Sequence, residues 1–190
     1  MTRLAEPGAG LPPFQLFLAK RVALPILWRT TSWDEAQRRF DAEGRVILEI
    51  AGRLTPRERE RRVLVSGVFG IEDNSRDWSV AMALEHLIIA GDWIADVLVK
   101  LTHRQEIPRA LAIKDVKPTG SLDGEAAPAA FREFLGRFRR RALEEMDDRA
   151  SKELYAHPWF GPLTAHQWQV FAPQHQKIHR RQIEAIIRGL

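Results

Sequence analysis

The chain contains no cysteine. That removes disulfides, thiolate nucleophiles and the cysteine-based structural zinc sites together, so any bound metal has to rest on imidazole, carboxylate or water. An apolar run of bilayer length is missing as well. The richest stretch, residues 11–28, holds Phe14, Leu16, Phe17, Leu18, Leu24, Ile26, Leu27 and Trp28, but Lys20, Arg21 and Pro25 interrupt it. This excludes a transmembrane span and makes a poor signal peptide, so a cytoplasmic protein is expected. A short helix laid against the domain is the expected form of that stretch, with membrane contact or a homodimer arm as the alternatives. Nor does either sign of charge dominate: 29 Lys+Arg against 25 Asp+Glu leaves +4 over the whole chain. Arg137, Arg139, Arg140 and Arg141 are followed at once by Glu144, Glu145, Asp147 and Asp148. The local field is thereby largely cancelled, no aromatic-basic RNA motif accompanies it, and a nucleic-acid partner is not expected.

What is present suits one domain. With 190 residues, 45% hydrophobic and 28% charged, the chain can bury a real core. Residues 1–31 read as an N-terminal extension that begins with a small-residue tail, and residues 32–190 as the domain proper. Ser32 and Glu35 make a capping-box start, after which Trp33, Phe40, Ile47, Ile50, Ala51 and Leu54 recur at near-helical intervals towards a weak point at Gly52. Thr55, Pro56 and Glu58 are a second start signal. Residues 63–71, VLVSGVFGI, suit either a strand or a loop, and the glycines and the Asp73-Asn74-Ser75 cluster favour the loop. Ser75 or Asp77 can cap a long apolar helix from Trp78 to Leu101. Residues 107–128 are rich in Pro, Gly, Ala and Ser and read as a long crossover loop. Phe131, Phe134, Leu135, Phe138, Ala142 and Met146 mark a further helix running to about Ala150.

Histidines carry the chemistry. In the last stretch, opened by the capping box of Thr164 and Gln167, the residues Trp168, Phe171, His175, Ile178, His179, Gln182 and Ile186 share one helical face. Two imidazoles four residues apart can reach one ion, but a catalytic site wants a third protein ligand from elsewhere. His86 is the candidate, since Met82, Ile89, Ala90, Trp93 and Val97 fall on its side of the apolar helix. Taken alone it would read as a core histidine bonded to a carbonyl. His103 at a helix end and His157 before Pro158 read as structural and as a loop hydrogen-bonding residue. Pro173, two residues before His175, should kink the final helix.

Trp78-Ser79 leading to Glu85-His86-Leu87, the run from His157 to Ala165 (HPWFGPLTA), and His175, His179 and Gln182 together resemble the DinB/YfiT-like superfamily of metalloenzymes. The likeness covers roughly residues 32–190, and its loop motif is the most specific part. It implies an all-α, four-helix bundle with the long crossover loop between its second and third helices. It also implies a divalent metal held by His86, His175 and His179. Relatives of that superfamily include enzymes using low-molecular-weight thiols, which makes such a thiol a candidate cosubstrate. A fold does not determine a reaction, however.

The residues narrow the expectation further. Gln176 occupies the place of the glutamate in an HExxH protease and cannot act as a base. Three neutral imidazoles leave an ion its full charge, which lowers the pKa of a bound water or thiol. A metal-dependent enzyme acting on a small-molecule substrate by S-transfer or hydrolysis is therefore expected. The alternatives are a bundle that binds metal or a small ligand without catalysis, and a metal-free structural or interaction protein. Zinc, nickel and iron all suit imidazole ligation. Gln182 is expected to support a ligand rather than bind the ion. Trp93 and Trp168, each about two turns from a histidine on its face, are expected to wall an apolar cleft. Residues 65–76 and 107–128 are the candidate lids.

Overall fold

The computed structural model describes residues 4–107 and 112–190, so the part of the expected lid at residues 108–111 lies outside the described residues. Pro13, tolerated in a first helical turn because its missing N–H has no partner there, opens α1 (Pro13–Leu18). A π-helical turn, Ala19–Ala23, leads into α2 (Leu24–Thr30). Leu24 is buried and the Trp28 carbonyl accepts a hydrogen bond from His166 at 3.2 Å, which seats α2 on the last helix. Phe14, Phe17, Val22 and Ile26 stay exposed.

Ser32 caps α3 (Trp33–Gly52), its hydroxyl accepting the Glu35 N–H at 3.2 Å, and Gly52 is the last helical residue. The Glu35 carboxylate does not close the expected box; it pairs with Arg38 and Arg39 instead. At α4 (Pro56–Glu60) the box of Thr55 and Glu58 is complete. Val63 and Leu64 are not loop. They form β1 (Val63–Leu64), antiparallel to β2 (Asp77–Trp78), and residues 65–76 are the excursion between the two. Since Asp77 and Trp78 are used in this pairing, neither Ser75 nor Asp77 caps α5 (Val80–Thr102); Ser79 does, accepting from Met82 N–H at 3.1 Å. The next helix, α6 (Ala127–Glu144), stops six residues short of Ala150, and residues 155–163 fold as a hairpin of β3 (Tyr155–His157) and β4 (Gly161–Leu163). Thr164 and Gln167 then form the expected capping box of α7 (Ala165–Arg188).

The long helices α3, α5, α6 and α7 make a four-helix bundle in which α3 packs on α6 and α7, and α5 packs on the same two from the other side. A long connection separates the end of α5 at Thr102 from the start of α6 at Ala127, and residues 103–107 and 112–126 of it are described. Phe40, Phe131, Phe134 and Phe138 are essentially fully buried between α3, α5 and α6, and Phe40 stacks on Phe138 with centroids 3.9 Å apart. Each such ring contributes about 1.5–3 kcal/mol by leaving water. Gly91 on α5 sets the closeness of α5 to α6, because a Cβ there would lie 2.1 Å from Cζ of Phe134, which is fully buried. Gly91→Ala should therefore lower stability by about 1–3 kcal/mol through overpacking, despite the gain of about 1 kcal/mol in helix propensity. A thermal melt reads this directly; an unchanged or raised midpoint would mean the helices can part without cost.

Two long-range devices fasten the crossover to the bundle. The Arg59 guanidinium, buried, donates to the carbonyls of Ala51, Leu54 and Gly124, which ties the end of α3 to the approach to α6. Glu85, also buried, accepts from the backbone N–H groups of Thr119 and Gly120 and from the hydroxyls of Thr119 and Ser121. The connection is thereby held against α5 one residue before His86.

Candidate metal centre

The ridge that α5 turns towards α7 carries His86, and the facing ridge of α7 carries His175 and His179. Their ring centroids are 5.0 Å apart for His86 and His175, 4.4 Å for His86 and His179, and 4.6 Å for His175 and His179. One nitrogen from each ring can be chosen so that all lie within 4.8 Å of one another. His86 Nε2 and His175 Nε2 approach to 3.1 Å. Two nitrogens bound to one ion at about 2.1 Å stand roughly 3.0–3.4 Å apart, so the pair already has the spacing of common ligands.

Hydrogen bonds on the outer sides of the rings decide which nitrogens face inward. His86 Nδ1 lies 2.5 Å from the Val116 carbonyl oxygen, which can only accept, so the proton of neutral His86 sits on Nδ1 and Nε2 offers its lone pair. Gln182 donates from Nε2 to the Ser75 carbonyl at 2.6 Å, which turns its Oε1 towards His179 Nδ1 at 2.7 Å. His179 is therefore also protonated on Nδ1, with Nε2 free. A ligating histidine needs this kind of outer partner to fix its tautomer and orientation. The Val116 carbonyl bonds His86 directly, whereas the Ser75 carbonyl acts on His179 through Gln182 of α7, so both loops help to set the rings.

Burial holds all three rings neutral. It pushes the pKa of His86 and of His175 well below the ordinary value, with the neighbouring histidines adding to the effect. It brings His179 to about 4, with Lys117 adding to the effect and the Gln182 hydrogen bond opposing it. Neutral rings suit a divalent ion, and His86 and His179 already turn lone pairs inward. The chemistry of the donor set thus fits such an ion.

A cleft of about 670 Å3, counting the space open to solvent at its mouth, runs beside the triad. Its walls are mostly apolar and include Trp93, Trp168, Phe171 and Val116. Trp93 meets Trp168 edge-on at 5.5 Å, and Trp168 is anchored by donating from its indole N–H to the Tyr155 carbonyl at 3.2 Å. Gly70, Ile71, Glu72 and Ser75 of one loop and Ile113, Val116 and Lys117 of the other also border it. The charges here are committed: Lys117 Nζ lies 2.6 Å from the buried Glu72 carboxylate and 2.7 Å from Ser75 Oγ.

Several residues at the site gave little signal in the sequence. Trp78 stacks nearly parallel to His179 at 6.0 Å and lies 5.2 Å from His86. Its place follows from the β1–β2 pairing, which periodicity in so short a segment does not show. His157 also lines the cleft, brought there by the β3–β4 hairpin, and it does accept the loop hydrogen bond expected of it, from Trp159 N–H. His103 is structural, bonded to the Glu145 carbonyl at 2.8 Å. Gln176 is buried but borders no part of the cleft. Helix α7 runs unbroken through Pro173, and His175 and His179 remain on one face. Lys177 and Arg180 do not border the cleft, and Arg180 pairs with Glu43 and Glu184.

Fold and site together define a four-helix bundle with an inward-facing cluster of imidazoles beside an apolar cleft. No family model and no curated protein matches the chain. Among solved structures it is similar to TT2238, described as a four-helix bundle protein, with 23% sequence identity and a TM-score of 0.53 over 81% of this chain and 98% of that one. That likeness shows the fold. Among the described residues no helix is long and apolar enough to cross a membrane.

Proposed function

We propose that the protein is a divalent-metal-dependent enzyme of the DinB/YfiT-like type, acting on a small molecule by thiol transfer or hydrolysis. The observation that carries this reading is the outward pinning of two histidine protons by Val116 and Gln182, which leaves their inner nitrogens as lone-pair donors facing a third imidazole.

His86, His175 and His179 would hold the ion. When bound, such an ion supplies positive charge that lowers the pKa of a coordinated water or thiol and polarises an electrophile. The apolar walls of Trp93, Trp168 and Phe171 would exclude bulk water and strengthen every electrostatic interaction at the site. As the chain has no cysteine, a sulfur nucleophile would arrive on a low-molecular-weight cosubstrate.

One observation favours non-catalytic binding as the second reading. Glu72 is the carboxylate that borders the cleft, and its hydrogen bonds from Lys117, Gly8 and Gly10 leave it poorly placed as a general base. Elemental analysis followed by an assay of electrophile consumption separates the readings. The purified protein should carry about one equivalent of zinc, nickel or iron and consume an electrophile such as chlorodinitrobenzene only when a small thiol is added. Turnover of an activated ester with water alone would make it a hydrolase. Retained metal without turnover across a broad electrophile panel would leave the binding reading, and failure to retain any divalent ion would overturn both.

A further inference from the structure

The β3–β4 hairpin brings a fourth imidazole to the cleft. His157 is 8% exposed and sits among rings, with Phe160 at 4.5 Å, Phe171 at 4.9 Å and Trp168 at 5.2 Å between centroids. Its Nδ1 lies 3.1 Å from the backbone nitrogen of Trp159. A backbone N–H can only donate, so Nδ1 is the acceptor and the proton of the neutral ring is on Nε2. Burial pushes its pKa down to about 3, so the ring is neutral near pH 7 and its tautomer is fixed by its own turn.

Among the described residues no protein acceptor takes the Nε2 proton, although the ring borders the cleft. An imidazole N–H without a protein acceptor, on a ring that borders a cleft, is available to a ligand atom or an ordered water. His157 does not belong to the triad: Phe171 stands between them, 4.9 Å from His157 and 5.7 Å from His175.

We infer that the part of the cleft bounded by His157, Trp93, Trp168 and Phe171 is a subsite for an uncharged, planar aromatic group bearing a hydrogen-bond acceptor, with His157 Nε2–H as the donor that selects it. The ring walls favour a flat group through face and edge contacts. Charge is disfavoured there, because His157 is neutral and the nearby Lys117 and Glu72 neutralise each other. This rests on reading the cleft as the small-molecule site but not on the metal.

Equilibrium dialysis with acetylnaphthalene and its isostere isopropylnaphthalene, which lacks the carbonyl acceptor, tests this on the full chain. The wild type should bind the ketone about five- to tenfold more tightly, and His157→Phe should bring the two within about twofold. In the imidazole nitrogen NMR spectrum of the wild type, His157 should be the Nε2–H tautomer and its Nε2 signal should move with the ketone and not with the isostere. That measurement decides the matter should His157→Phe fail to fold. Equal affinities in the wild type, a preference that persists in His157→Phe, or no binding of either compound would overturn the inference. Dialysis in chelator and in zinc separates it from the metal reading. A preference that survives in a protein retaining no ion sinks the metal alone, whereas loss of preference with the ion retained sinks this subsite alone.

Discussion

His86→Ala, His175→Ala and His179→Ala are each expected to abolish retention of a divalent ion through desalting while leaving the bundle folded. Among the described residues these three rings are the group placed to share an ion, so no fourth side chain of that group replaces the one removed. The loss should exceed the roughly 10–100-fold fall in affinity that removal of an outer partner causes. Gln182→Leu supplies that smaller step for comparison, because it removes the acceptor that orients His179 and the donor to Ser75 without touching an inner nitrogen. Folding should change far less, since α5 and α7 bury their own apolar residues, among them Leu84, Leu87, Ile183 and Ile186. Zinc at about a thousand times its Kd should stabilise the wild type by about 4 kcal/mol and raise its melting temperature, and the three variants should show no such rise. An alanine variant that keeps a full equivalent of ion with unchanged affinity would remove that histidine from the ligand set.

Acidification of the metal-free protein from pH 6.5 to about 4 is expected to cost several kcal/mol of stability. His157 and His179 titrate near 6.5 when unfolded but at about 3 and about 4 when folded, chiefly because burial penalises the charged ring. Their folded pKa values are depressed, so the unfolded chain binds more protons below pH 6.5. The stability they contribute is therefore fully present above that value and is lost as pH falls towards the folded pKa. Each group costs about 1.4 kcal/mol per pH unit over that window, so His157 alone accounts for about 3 kcal/mol by pH 4. His86 and His175, depressed for the same reason, add in the same direction. A domain of ordinary stability, about 5–15 kcal/mol, should then unfold above the acid range in which carboxylates protonate. Urea titrations between pH 7 and pH 4 in chelator measure the slope, and His157→Phe should lessen it by about one proton. A flat profile from pH 7 to pH 5 would mean that these rings are not buried neutral.

Helix starts were legible where the signal is local. The cap at Ser32 and the boxes at Thr55 and Thr164 depend on residues three apart, and all three open helices. The start of α5 is not legible in this way, because Trp78 looks like the first residue of an apolar helical run, whereas its backbone pairs with Val63. No spacing within the run reports that partner. The same reason explains Val63 and Leu64, whose two-residue strand is too short to show a period.

Taken by itself, the sequence determined that the chain is helical, that no thiolate or disulfide is available to it, and that His175 and His179 project from one face, since the 3.6-residue helical repeat puts positions four apart on the same side. It also put His86 on an apolar face without saying what that face meets. The tertiary structure decided the rest. Packing of α5 against α7 brings His86 Nε2 to 3.1 Å from His175 Nε2, and the loop atoms Val116 O and Ser75 O set the proton positions of His86 and, through Gln182, of His179. The hairpin delivers His157 to the same cleft. These are contacts between residues 3 to 107 positions apart, and most bridge separate elements. Helical periodicity reaches only a turn or so along the chain, whereas which carbonyl meets which imidazole depends on how independently formed elements pack.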